Sequence, residues 1–254
     1  MEYDLFLFAG QSNMAGRGIT SPQWPQPAPS LTPGAGYEYR AVSDPGHLHP
    51  MAEPFGAEEN DPNGIFEPGK KTGSLVTAFV NAYYEQTGVP VVGVSASQGG
   101  TEIAQWQGQQ DLLTDALGRF AQANAYLQEA SMPVGHRFLV WCQGETDGDR
   151  ETTPALYKAR FRNLWAQCRQ AGLETCFLVA IGQYNGVKGC DYTAIHAAQC
   201  ELAREVPGVV LASDDFYIMR ARGLMKDSYH YYQQAYNEVG TKAGRAAAAY
   251  REKM

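Results

Sequence analysis

Five short apolar runs, separated by longer stretches of helical periodicity, restrict this chain more than any other feature. Residues 3–9, 91–96, 137–143, 177–182 and 209–213 are rich in β-branched and aromatic side chains. Their hydrophobicity is nearly continuous, as in strands covered on both faces. Residues 74–87, 111–129, 154–171, 191–206 and 233–251 read as helices. Ser74 and Asp111 stand where N-caps belong, and Gly88, Gly172 and Gly208 follow as stops. Strand alternating with helix predicts an α/β fold, a parallel sheet of about five strands with helices on both faces. At 254 residues the chain is expected to form one such domain, spanning 1–254.

Residues 16–73 break the pattern. They are rich in Pro and Gly and predict a long loop insertion, which in a compact domain usually carries function. Its stretch GIFEPGKKTG, residues 64–73, approaches the phosphate-binding pattern G-x-x-x-x-G-K-[ST]. Lys71, however, stands where the hydroxyl is required and no strand precedes it, so it reads as a lead into the 74–87 helix. A net charge of -7 with no basic stripe argues against a nucleic-acid partner. No apolar run approaches the ~18 residues of a membrane span, so no membrane partner is expected. The chain starts at once with strand-like residues and shows no signal-peptide pattern. The five cysteines, Cys142, Cys168, Cys176, Cys190 and Cys200, are odd in number and form no C-x-x-C. Buried thiols in a reducing, cytoplasmic setting are the expectation, unless a leader was trimmed away. No cysteine lies near His47 and His49, so the spacing offers no zinc site, and no metal or other cofactor is expected.

In an open parallel sheet, ligands sit beyond the carboxyl ends of the strands. The first strand delivers Gly10-Gln11-Ser12-Asn13 there, the second Gln98-Gly99-Gly100-Thr101, the third Gln143-Gly144-Glu145-Thr146-Asp147. Ser12 alone says little, since a serine opening a helix is commonly a cap. As a nucleophile it needs a base, and the base needs an orienting acid. Asp227 and His230 offer both within one short loop, the acid placed to hold Nδ1 while Nε2 faces the serine. Asp214 and Asp215, ending a strand, are rival acids. An acyl-transfer site also needs oxyanion donors, for which the N–H of Ser12, the N–H of Gly99 and the carboxamide of Gln143 are candidates. Candidate substrate contacts are Gln11, Asn13, Arg17, Trp106 and Glu145, with Gln98 and Tyr184 beside them. Aromatic faces suit the apolar sides of sugar rings, and Arg17 can bond hydroxyls or a carboxylate. Glu145 and Asp147 stand too close together to flank one glycosidic bond and are expected to bind loop N–H groups.

These blocks carry a resemblance. GQSNMAGRG near the N-terminus, GGT after the second strand, QGETD after the third and DSYH near the end are similar to the SGNH-hydrolase superfamily. Within it they resemble the carbohydrate esterases that include family 6 acetylxylan esterases and sialate O-acetylesterases. Glu53-Pro54 and HYYQQAYNEVG extend the likeness over nearly the whole chain. Two departures from the wider superfamily, Gln11 for the usual aspartate and Gln143 for the usual asparagine, are themselves habits of that group. The resemblance implies a flavodoxin-like three-layer α/β/α sandwich and metal-independent ester hydrolysis. It assigns Ser12 as nucleophile, His230 as base, Asp227 as orienting acid, and Ser12, Gly99 and Gln143 as oxyanion donors. The expected activity is a serine esterase removing O-acetyl groups from a carbohydrate through an acetyl-enzyme. The alternative is a non-catalytic sugar- or flavin-binding module on the same scaffold.

Overall fold

The computed structural model describes residues 2–187 and 189–254. Its centre is β1 (Tyr3–Gly10), whose side chains alternate between two cores. Leu5, Leu7 and Ala9 point to one face, Phe6 and Phe8 to the other. The strand is apolar throughout because both its faces are covered. Beside it lie β4 (Val91–Ser97) and β5 (Val134–Cys142), both parallel to it. Next to β5 come β6 (Thr175–Val179) and β7 (Val209–Ser213), also parallel.

Two helical layers cover this sheet. On the Leu5 face sit α3 (Leu112–Glu129), α5 (Pro154–Gln170) and α6 (Thr193–Glu205). On the Phe6 face sit α2 (Val76–Thr87) and α8 (Gln233–Arg251), with the one-turn α7 (Phe216–Met219) beside them. Phe6 packs against Phe79, Tyr83 and Phe138 at ring-centroid distances of 5.5, 5.1 and 5.0 Å. Each such pair contributes about 0.5–1.5 kcal/mol beyond its buried area. Two capping signals act as read: Asp111 accepts from the N–H groups of Leu113 and Thr114, and Gly88 closes α2 with φ at 66°; Ser74 instead lies one residue before the Leu75 N-cap, its hydroxyl accepting from the Val76 N–H at 3.0 Å. Two further short helices, α1 (Ser12–Ala15) and α4 (Glu145–Asp149), follow β1 and β5 directly.

The five runs expected to be strands are strands, but the sheet has seven, ordered β3-β2-β4-β1-β5-β6-β7. The two additions, β2 (Gly36–Arg40) and β3 (Asp44–Pro50), fall inside the stretch read as a loop. β2 runs parallel to β4, and β3 runs antiparallel to β2, so the sheet is mixed at that edge. Prolines at both ends of β3 hide the strand from sequence. They are tolerated because β3 is the outermost strand and one side of its backbone needs no donor. Cys142, Cys168 and Cys176 are buried among these layers, and burial pushes the Cys168 thiol up to about 12. Among the described residues no helix is long and apolar enough to cross a membrane.

Candidate active site

The three strands β4, β1 and β5 are neighbours at the middle of the sheet, so their carboxyl ends open into one crevice. Gly10 ends β1 with φ at 142°, and a Cβ there would lie 2.0 Å from the Cys142 carbonyl oxygen. Only glycine lets the chain turn so close to β5. The turn places Ser12 first in α1, where its N–H has no partner inside the helix. Gln11 holds the turn from the other side: its Oε1 accepts from the N–H of Gly144 at 3.0 Å.

The tail of the chain comes back over this point. Between α7 and α8, the N–H of Lys226 donates to the His230 carbonyl at 2.9 Å and closes a tight turn. Within it Asp227 Oδ1 accepts from the N–H groups of Tyr229 and His230, both at 2.8 Å. That local bonding is what an aspartate opening a turn does. It leaves Oδ2 free to hold His230 Nδ1 at 3.0 Å, and His230 Nε2 then lies 2.9 Å from Ser12 Oγ. With Nδ1–H donated to Asp227, the Nε2 lone pair faces the serine hydroxyl. Burial alone would push the Asp227 carboxyl up, but the bonds from the His230 ring and the two N–H groups outweigh it and hold it at about 2. Asp214 and Asp215, the rival acids, are taken up by Lys242 at 2.9 and 2.6 Å.

Asn13 fastens the loop. Its amide donates to the Tyr229 carbonyl at 3.1 Å and to Glu145, and its oxygen accepts from the Tyr236 hydroxyl at 2.6 Å. Glu145 is 3% exposed; burial pushes its carboxyl up, and the Asn13 amide and the nearby His230 pull it back only in part. A cleft of about 390 Å³ opens at Ser12 and His230, lined also by Arg17, Glu67, Gly99, Glu145, Asp149 and Tyr229, with Gln11 at its floor beside Gly144.

A serine hydroxyl, an imidazole and a carboxylate thus stand in one hydrogen-bonded chain at the carboxyl ends of the central strands. A family model described as "carbohydrate esterase, sialic acid-specific acetylesterase" matches residues 2–249. The chain belongs to that family. A search of curated proteins returns no match. Among solved structures, a protein from Arabidopsis thaliana superposes with a TM-score of 0.66 at 19% identity, covering 100% of this chain and 99% of that one. A novel carbohydrate acetylesterase from Xanthomonas citri gives 0.62 at 18% identity, covering 99% of this chain and 57% of its own. At such identities the likeness concerns the fold alone, an α/β sandwich.

Within this carbohydrate esterase, several residues singled out from sequence stand elsewhere than expected. The Gln143 amide does not face the cleft; it donates to the Thr101 carbonyl at 2.9 Å and to Asp147 at 2.6 Å. Two near acceptors in the buried space below the cleft hold it away from an acyl oxygen. Trp106, expected as a sugar platform, is 0% exposed; it packs on Trp141 and donates to the Thr101 hydroxyl at 3.1 Å. An indole whose one donor is satisfied inside the core gains nothing by facing water. Gln98 gives its Oε1 to the Phe66 N–H at 2.9 Å and so fastens a loop. Gly99 is at the cleft, but its N–H donates to Glu67 Oε1 at 2.7 Å. Gln11, Arg17 and Glu145 do line the cleft, whereas Asn13 stands behind its wall. Asp147 binds the Ile103 N–H at 2.8 Å, the loop role expected of it.

Three contributors escaped the sequence reading. Glu67 and Lys70 come from the GIFEPGKKTG stretch and reach the cleft. Asn185 donates its backbone N–H to the Ser228 carbonyl at 3.0 Å and steadies the Asp227 turn. The first two lie in a stretch that reads from sequence only as a lead into the 74–87 helix, and nothing near Asn185 in sequence announces its bond.

Proposed function

We propose that this carbohydrate esterase removes O-acetyl groups from sugar hydroxyls through an acetyl-enzyme on Ser12. The observation that carries the reading is the chain from Ser12 Oγ to His230 Nε2, at 2.9 Å, and from His230 Nδ1 to Asp227, at 3.0 Å. In the first half-reaction Ser12 Oγ bonds to the acetyl carbon while its proton passes to His230 Nε2. The carbonyl oxygen takes the negative charge, with the N–H groups of Ser12 and Gly99 as the donors at hand. The bond from the acetyl carbon to the sugar oxygen then breaks, and that oxygen takes the proton from His230. In the second half a water gives its proton to His230 and its oxygen to the acetyl carbon. The bond to Ser12 breaks, the serine regains its proton, and acetate leaves. Asp227 stays ionised throughout, keeping the imidazole in one tautomer and balancing its charge when protonated.

The wall of the cleft suits a sugar. Arg17, Glu67 and Asp149 offer donors and acceptors for hydroxyls, and Tyr229 presents a ring supported by Tyr184 at 5.5 Å between centroids. Replacing Ser12 by Ala removes the attacking oxygen at a site where little packing is lost. Acetate release from acetylated xylo-oligosaccharides and acetylated sialic acid should fall by at least ~10³-fold with folding intact. Retained turnover of p-nitrophenyl acetate by Ser12→Ala would reject the assignment.

A further inference from the structure

The GIFEPGKKTG stretch departs from the phosphate-binding pattern at Lys71, yet the structure clips it firmly beside Ser12. Gln98 Oε1 accepts from the Phe66 N–H at 2.9 Å, Asn60 Oδ1 from the Glu67 N–H at 2.9 Å, and the Gly16 carbonyl from the Thr72 N–H at 3.2 Å. This fixed backbone aims Glu67 into the cleft with its side chain 4% exposed. One carboxylate oxygen, Oε1, takes the Gly99 N–H at 2.7 Å and pairs with the Arg17 guanidinium. The other, Oε2, is buried with no donor among the described residues. The crowding is close: a Cβ on Gly99 would lie 2.6 Å from Glu67 Oε1, 2.8 Å from Arg17 Nη2 and 3.1 Å from Ser12 Cβ.

A carboxylate on the Gly99 N–H conflicts with ester cleavage at Ser12. The same N–H is wanted by the oxygen that becomes negative, and two negative oxygens cannot share one donor at short range. We infer that Glu67 is a selectivity gate: it occupies the Gly99 N–H in the resting enzyme and yields it when a sugar hydroxyl beside the acetyl group donates to the Glu67 carboxylate instead. This rests on Ser12 being the nucleophile. Arg17 makes the exchange feasible. Its other nitrogen is held by the Gly16 carbonyl at 3.1 Å, so it stays in place as a partner onto which Glu67 withdraws. The substrate class selected is an acetylated sugar with a free neighbouring hydroxyl; a simple ester with no donor leaves the gate shut.

Steady-state kinetics of Glu67→Gln on two substrates tests the gate. An amide oxygen accepts more weakly than a carboxylate, by about the share of one charge-assisted hydrogen bond. p-Nitrophenyl acetate, which cannot open the gate, should gain about five- to tenfold in kcat/KM. A partially acetylated xylo-oligosaccharide with free neighbouring hydroxyls should lose about tenfold, so the preference for the sugar collapses by roughly 50- to 100-fold. A residue that merely props the Gly99 loop would move both substrates together. Any result in which the two change alike, upward, downward or not at all, overturns the gate. Should Glu67→Gln fail to fold by circular dichroism, Glu67→Asp decides. It keeps the charge beside Arg17 but shortens the reach to Gly99, and the same gain on p-nitrophenyl acetate is expected. Ser12→Ala combined with either variant should abolish turnover; activity surviving there would refute the nucleophile, a different failure from loss of the gate.

Discussion

Glu145 sits against Asn13 with one oxygen, Oε2, buried and without a donor among the described residues. Burial raises its pKa above the ordinary 4.5, so the folded protein holds that proton more tightly than the unfolded chain does. The sign follows from linkage: stability from this group is fully present below the unfolded pKa and is lost as pH rises through the folded one. Glu145→Gln keeps an acceptor oxygen for Asn13 without the charge. Its Tm should exceed that of the wild type by more at pH 8 than at pH 5, as thermal melts across pH will show. Asp227 behaves oppositely. Held at about 2, below its usual 3.8, its contribution is present above about pH 4 and is lost as pH falls towards 2. A decline in esterase activity between pH 7 and pH 5 therefore belongs to another group than Asp227.

Helix α8 shows how an element can contradict its own propensity. Gly240 and Gly244 lie within it, spaced one turn apart, and face α2. A Cβ on Gly244 would come 2.2 Å from the Phe79 carbonyl oxygen, and one on Gly240 2.3 Å from that of Leu75. The two helices thus pack backbone to backbone, with Ala243 and Ala247 buried in the same layer. Propensity alone makes Gly→Ala in a helix a gain of about 1 kcal/mol. Against a carbonyl at such a distance the helices must part, a cost of about 1–3 kcal/mol for overpacking. Gly244→Ala should therefore destabilise, and urea unfolding will give the sign directly.

The two ends of the chain are joined at the bottom of the sheet, opposite the cleft. Asp4 on β1 is 0% exposed and accepts from the Tyr83 hydroxyl at 2.5 Å, the His136 N–H at 2.9 Å and Arg251 Nε at 2.7 Å. Arg251 closes α8, so this one carboxylate ties β1, α2, β5 and the last helix together. Removing a partner from a buried charge is costly because the charge stays behind. Arg251→Ala should lower stability by about 3 kcal/mol while sparing the distant cleft. Denaturant melts and esterase assays of the same preparation will separate the two effects. α8 also carries Gln233 and Tyr236, and Tyr236 bonds Asn13, so loosening this helix further up would reach the His230 loop.

What could be read from the chain was whatever depends on near neighbours. Near-continuous apolar runs marked five strands, caps and glycines marked the long helices, and Asp227 three residues before His230 marked a turn that orients a ring. These signals are local because hydrogen bonds within a turn or helix join residues close in sequence. The β2–β3 hairpin was hidden, since β3 is held by the open edge of β2 and its prolines are permitted only at that edge. Trp106 and Gln143 were misplaced for the converse reason: Trp141, on which Trp106 packs, and Thr101, to which Gln143 donates, lie 35 and 42 residues away and meet them only in the folded chain. Glu67 lies 32 residues from Gly99 and 50 from Arg17, and nothing in its own neighbourhood announces either bond. Residue type and spacing marked five of the seven strands, the long helices and the candidate nucleophile and base, while the resemblance chose Asp227 over its rivals as the acid. Which polar groups face the cleft, and which spend their hydrogen bonds beneath it, was settled by packing, because a buried donor takes whichever acceptor the fold brings nearest.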